Sequence, residues 1–177
     1  MKKKTLALVL ALTLLVAGVV GGTLAWLTDR TAEVKNTFTV GDINIGLTET
    51  TADYKMVPGN TIAKDPTVTV KANSEACWLF VKVTESTDLK DFITYAIAEG
   101  WTALPGVDGV YYREVPASAA DQTFSVLAGD AVTVKSDVTR TMLETAKTDA
   151  PTLTFKAYAI QRDHFATADA AWAEVSK

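Results

Sequence analysis

One imidazole and one thiol are the only side chains this sequence offers for the commonest forms of nucleophilic and metal chemistry: His164, in Gln161-Arg162-Asp163-His164, and Cys77. A triad-type nucleophile would have to take His164 as its base, yet no G-x-S-x-G elbow stands in the chain to present a serine. A Cys77–His164 dyad would need a thiolate, and Cys77 sits in the apolar run Ala76–Val83, which disfavours the charged form. Zinc requires several converging ligands; a single His and a single Cys do not supply them, and H-E-x-x-H and EF-hand patterns are absent. Carboxylates alone are the one metal-binding set the composition allows. The acid pairs Asp88 with Asp91 and Glu49 with Asp53 have the residue types for glycosidase work. Among 21 acids, such pairs read more simply as a solvated face. Four tryptophans invite a sugar-stacking interpretation. Trp78 and Trp172 fall into core periodicity, which leaves Trp101 and Trp26 as the free aromatic planes. No catalytic residue, metal or cofactor is assigned, and the sequence is read as a non-enzyme.

Charge narrows the partners. With 17 Lys+Arg against 21 Asp+Glu and a pI near 5.0, the chain is a poor binder of phosphate backbones, so no nucleic acid is expected. The N-terminus carries Lys2, Lys3 and Lys4, then an uncharged run from Thr5 to Val20, then Gly21-Gly22-Thr23-Leu24-Ala25. This has the layout of a secretory signal peptide: a cationic start, an apolar helix, and small residues entering a peptidase. Cleavage is expected between Ala25 and Trp26, with Thr23 and Ala25 recognised on the leader side. The competing interpretation is an uncleaved anchor, because Thr5 to Ala25 is long enough to cross roughly 30 Å of hydrocarbon. The double glycine and Thr-x-Ala favour cleavage. Residues 1–25 contain those three lysines and no acid, so the mature chain is more acidic still. The protein is expected to be secreted, touching a membrane only through its leader, with Cys77 buried away from oxidants.

The mature chain alternates with period two, the signature of strands with one buried face. Phe38 and Val40 alternate with threonines, Ile43, Ile45 and Leu47 follow on the opposite parity, and a bulge at Gly41-Asp42 would restore one face. Pro58-Gly59-Asn60 marks a turn before Val68, Val70 and Ala72. Cys77 to Val83 is apolar on both parities: Cys77, Leu79, Val81 and Val83 on one, Trp78 and Phe80 on the other. A strand covered on both faces is implied. Ile93, Tyr95 and Ile97 alternate, and Pro105-Gly106-Val107-Asp108-Gly109 has hairpin-turn chemistry before Val110-Tyr111-Tyr112. Short strands are expected at Phe124 to Val126 and Val132 to Val134, turning at Gly129-Asp130.

A short helix is expected between Asp137 and Lys147 with Ser136 or Asp137 as its cap, and a last strand through Leu153, Phe155, Ala157 and Ala159. Thr167 then caps a helix whose Ala168, Ala171, Trp172 and Val175 form one apolar stripe. Roughly eight strands with few helices make this mainly β: an antiparallel β-sandwich, jelly-roll-like, with short helices and an N-terminal signal-peptide helix. The expected domains are 1–25 as signal peptide, 26–36 as an extended segment that could act as a donor strand, and 37–177 as the sandwich. Its core is expected to hold Phe38, Ile43, Ile45, Val68, Val70, Cys77, Leu79, Val81, Phe155 and Trp172.

The junction Gly21-Gly22-Thr23-Leu24-Ala25-Trp26-Leu27-Thr28-Asp29, followed by Asn36-Thr37-Phe38-Thr39-Val40-Gly41-Asp42-Ile43-Asn44-Ile45, resembles the start of the TasA/camelysin-like exported proteins of Gram-positive bacteria. Their signal peptide is SipW-cognate, cut by a dedicated signal peptidase. Val57-Pro58-Gly59-Asn60-Thr61-Ile62 is similar to that family's P-G-[DN]-x-[IV] turn, and Cys77 to Val83 to its core strand; past about residue 85 only the general layout is similar. The resemblance implies a jelly-roll subunit of biofilm-matrix fibres, in which a freed N-terminal segment completes the sheet of the next subunit. Trp26, Leu27, Val34 and Phe38 would anchor that polymerisation segment. The implied partners are other copies of the chain, other matrix proteins, and the signal peptidase during export. Some camelysin-type relatives are described as metallopeptidases, but the ligands such an activity needs are missing here, so it is not carried over. An exported adhesion or carbohydrate-binding sandwich is the alternative, and a secreted hydrolase a more distant one.

Overall fold

Residues 76–83 are apolar on both parities apart from Lys82, and a strand of that kind is stable only where both of its faces are covered and both of its edges are paired. In the computed structural model, which describes residues 42–50 and 55–177, this segment occupies that place. Counting strands in chain order, β4 (Cys77–Glu85) pairs antiparallel with β10 (Leu153–Gln161) on one side, in an unbroken nine-residue register from Leu153 opposite Glu85 to Gln161 opposite Cys77. On its other side it pairs with β7 (Val110–Val115), which closes a hairpin with the short β6 (Thr102–Ala103). The sheet order is β10-β4-β7-β6. The expected hairpin at Pro105 to Gly109 is present. Gly109 makes it work: its φ is +70, and a Cβ there would lie 2.4 Å from the Val83 carbonyl oxygen, while the Val83 N–H donates to the Gly109 oxygen at 2.7 Å.

The fold is mainly β and antiparallel, but it has three sheets where two layers were expected. The second sheet has the order β1 (Ile45–Thr48), β3 (Thr67–Val70), β8 (Gln122–Ser125). The third is β2 (Thr61–Ala63), β9 (Ala131–Val134), β5 (Ile93–Thr94). The split originates at Val126-Leu127. Both side chains are fully buried, yet Val126 joins the cluster under β4 whereas Leu127 joins the cluster under β9. Two consecutive residues on opposite sides of an extended chain thus enter different cores. The predicted turn at Gly129-Asp130, where both residues take positive φ, then carries β9 away to pair with β2 and β5 instead of returning along β8. The Ile93–Ile97 alternation shortens for a related reason: only Ile93–Thr94 joins a ladder, and Ile97 makes a single bridge to Leu127.

Three apolar clusters result. Val68 and Val70 face Cys77, Leu79, Val81 and Val115 between the first two sheets, with Trp101 and Val126 at the margin. Under the third sheet, Val132, Val134 and Ile93 meet Leu89 and Phe92 of α1 (Leu89–Phe92), and Ala146 of α2 (Arg140–Ala146). The opposite face of β4 turns Trp78 and Phe80 toward α3 (Ala168–Val175), whose Ala168, Ala171 and Trp172 are buried on it. Ring centroids lie 5.3 Å apart for Phe80–Trp172 and 5.2 Å for Tyr158–Trp172. Thr167 caps α3 as expected, accepting from the Ala170 N–H at 3.3 Å. The cap of α2 differs from both residues expected. Ser136 and Asp137 are taken up in a turn closed by the Val138 N–H on the Lys135 carbonyl at 3.4 Å, and with Val138 buried the hydroxyl that meets the helix belongs to Thr139, which accepts from Met142 N–H at 3.3 Å. Among the described residues, no helix is long and apolar enough to cross a bilayer.

Phe80 is fully buried between the central strand and α3. Phe80→Ala should therefore cost about 3–5 kcal/mol in urea unfolding, whereas Thr167→Ala, which removes only the cap of the same helix, should cost about 1 kcal/mol.

Candidate functional site

The candidate catalytic groups do not converge. His164 is exposed in a short turn beyond β10, beside the exposed Asp163. Cys77 is fully buried on the inner face of β4, and that burial pushes its thiol up to about 11. Asp88 stands at the start of α1 and accepts from the Ser86 hydroxyl at 2.8 Å; Asp91 points to solvent from the same helix. Glu49 forms a 2.6 Å ion pair with Lys64, and Asp53 lies outside the described residues. Among the described residues, no three His, Cys, Asp or Glu side chains gather to hold a metal.

Trp101, expected to offer a free plane to a sugar, is a core residue instead. It is 9% exposed, packs against the first cluster, and donates its indole N–H to the Ser125 carbonyl at 2.8 Å. The Gly100 turn, with φ +86, swings the ring inward over β8, which the alternation of the neighbouring sequence does not reveal. Trp78 likewise uses its indole N–H internally, on the Phe165 carbonyl at 3.1 Å. Thr23, Ala25, Trp26, Leu27, Val34 and Phe38, together with the bulge at Gly41, lie outside the described residues.

The unusual feature is an edge. β10 is one of the two longest strands, yet among the described residues it is paired only along the side that meets β4. Long open edges invite another strand, because each unpaired N–H and C=O is a hydrogen-bonding position awaiting a partner. Its side chains tell the same story. Leu153, Phe155, Ala157 and Ala159 pack against the first cluster but stay only half-buried, while their counterparts Leu79 and Val81 on β4 are fully covered. β1 repeats the pattern at the margin of the facing sheet: it pairs only with β3, Ile45 is half-buried, and Leu47 is 37% exposed. The two open edges are neighbours in space. Between them runs a groove of about 290 Å³ lined by Leu47, Pro66, Leu153 and Phe155. A second groove of about 420 Å³, with Met56, Ile62, Val132 and Leu153 among its walls, extends it toward the third sheet. Ile43, half-buried just before β1, belongs to the same margin.

The charges here follow the grooves. Lys64, 7% exposed, stretches over the Phe155 ring at 5.5 Å from its centroid to reach Glu49. Asp65 accepts hydrogen bonds from the hydroxyl and the backbone N–H of Thr50, and these hold its carboxyl below the usual range. Sequence reasoning missed this polar rim. Lys64-Asp65 looks like solvated punctuation before Pro66, and only the pairing of β1 with β3 brings Glu49 and Thr50 beside it.

No family model, curated protein or solved structure matches this chain.

The thiol gives a direct check on the burial of β4. The folded state holds the Cys77 proton more tightly than the unfolded chain does, because burial raises the thiol from 9.0 to about 11. Stability linked to this group is therefore complete below about pH 9 and declines as pH rises through about 11. At pH 8, native protein should react with a thiol-specific disulfide reagent far more slowly than urea-unfolded protein. Equal rates would place Cys77 at the surface.

Proposed function

We propose that this chain is an exported structural subunit that assembles with copies of itself, its jelly-roll-like β body accepting an extended segment from a neighbour. The observation that carries the proposal is the nine-residue β10, open along one edge among the described residues, with alternate apolar side chains half-covered beside a groove. An added extended strand satisfies the edge's backbone groups and lays every second side chain into the groove, so main-chain hydrogen bonds supply affinity while side-chain pockets supply register. Segment 26–38, whose Trp26, Leu27, Val34 and Phe38 are large and apolar, has the composition of such a donor. If the segment is freed by cleavage after Ala25, export and assembly become one event. Donation from one subunit into the next is a heterologous contact, and heterologous contacts that do not close generate filaments, the architecture suited to a cell surface or a biofilm matrix. Two features make ordinary enzymology a poorer account: the catalytic residue types are scattered, and Trp101 is spent on the core.

Negative-stain images of protein beginning at Trp26 should show filaments, and protein beginning near Asn36 should remain monomeric. Monomers from both would remove the donor-strand proposal. Leu47→Glu, at a position 37% exposed on the groove wall, should leave the unfolding midpoint nearly unchanged while raising the protein concentration needed for assembly roughly tenfold.

A further inference from the structure

At the opposite margin of the sandwich from β10, one arginine is placed without an anion among the described residues. Arg113 stands on β7 opposite Leu79, on the strand face shared by Tyr111 and Val115, so its side chain enters the space between the sheets. Its guanidinium carbon lies 3.9 Å from the Phe124 ring centroid and 5.3 Å from that of Trp101, so two aromatic faces hold the group. Gly100 leaves the third side unfilled: a Cβ there would come within 3.0 Å of Nη2 and 3.5 Å of Nη1, and glycine has none. The Nε–H is buried with no acceptor, and no hydrogen bond or ion pair joins Nη1 or Nη2 to any described residue. The nearest acid in sequence on β7, Glu114, is already engaged at 3.2 Å by Arg162. Burial eases the guanidinium's hold on its proton, but arginine stays charged at any physiological pH.

A half-buried cation whose Nε–H has no acceptor is costly, and aromatic stacking offsets only part of that cost. What the stacking does provide is orientation, since a guanidinium fixed in plane presents its two terminal nitrogens as a fork, the shape that matches a carboxylate.

We propose that Arg113 is a receptor for a carboxylate group, held in plane by Phe124 and Trp101 and left accessible by the missing side chain of Gly100. The same chemistry serves a free organic acid or an Asp or Glu side chain of a second copy, and a chain with 21 acids has such groups to offer. The proposal uses no part of the β10 edge and stands or falls apart from strand donation.

The test is a ¹⁵N–¹H spectrum of the purified protein followed at the Gly100 amide and the Arg113 Nε–H. Acetate should shift both to saturation, sodium chloride at equal ionic strength should not, and Arg113→Lys should weaken the effect at least about tenfold while the rest of the spectrum is unchanged. Should that variant fail to fold, Arg113→Met, which keeps an unbranched stem against the rings, makes the same comparison. Shifts that follow protein concentration instead of acetate, and vanish with the substitution, assign the carboxylate to a second copy and also support the proposal. A response that is linear and equal in both salts, without concentration dependence, overturns it.

Discussion

The nine-residue ladder between β4 and β10 is the constraint on which the rest of the molecule depends. β4 can be apolar on both faces because each face is covered by a different element: β3 and its sheet on one side, α3 on the other. Its hydrogen bonds are satisfied on both edges, by β7 and by β10, so this central strand exposes little backbone to water. β10 receives no such treatment. It gives one edge to β4 and, among the described residues, receives nothing in return on the other, which is why Phe155 stays half-covered while Phe80 disappears from solvent. Of two paired strands of equal length, one is therefore paired on both edges and the other keeps an edge open among the described residues.

How much of this could be read from the sequence depends on whether the signal was local. The central strand was legible because a run such as Ala76 to Val81, apolar on both parities, has few other places to go, and α3 because Thr167 and the Ala168-Ala171-Trp172-Val175 stripe are a cap and a face in one short window. The hairpin at Gly109 was legible from its turn residues. The third sheet was not. Its cause is the divergence of Val126 and Leu127 into separate cores, and a buried pair in an extended chain looks the same in sequence whether its two faces meet one core or two. The cap of α2 moved two or three residues on, to Thr139, because the turn at Ser136 and Asp137 and the burial of Val138, a tertiary matter, overrode a local preference for Ser136 or Asp137.

The candidate site divides along the same line. The apolar alternation of β10 named Phe155 and its neighbours, but alternation says which face is buried, not whether an edge is paired, so openness could only be seen once the partners of β10 were known. Trp101 shows the converse. Its sequence context offered no partner, and a positive-φ glycine before it delivered one from β8, about 80 Å of extended chain being no obstacle to a contact between Trp101 and Ser125. Arg113 alternates with Tyr111 and Val115 on a strand face that enters the core, and that parity was the one available sign that its charge would need special housing.

The junction at Val126-Leu127 has a further consequence for how the molecule comes apart. Adjacent residues anchored in neighbouring cores form a mechanical splice: neither cluster can release its residue without straining the peptide that holds the other. The body under β4 and the body under β9 are therefore coupled in their opening, and the smaller sheet is not free to be shed ahead of the larger.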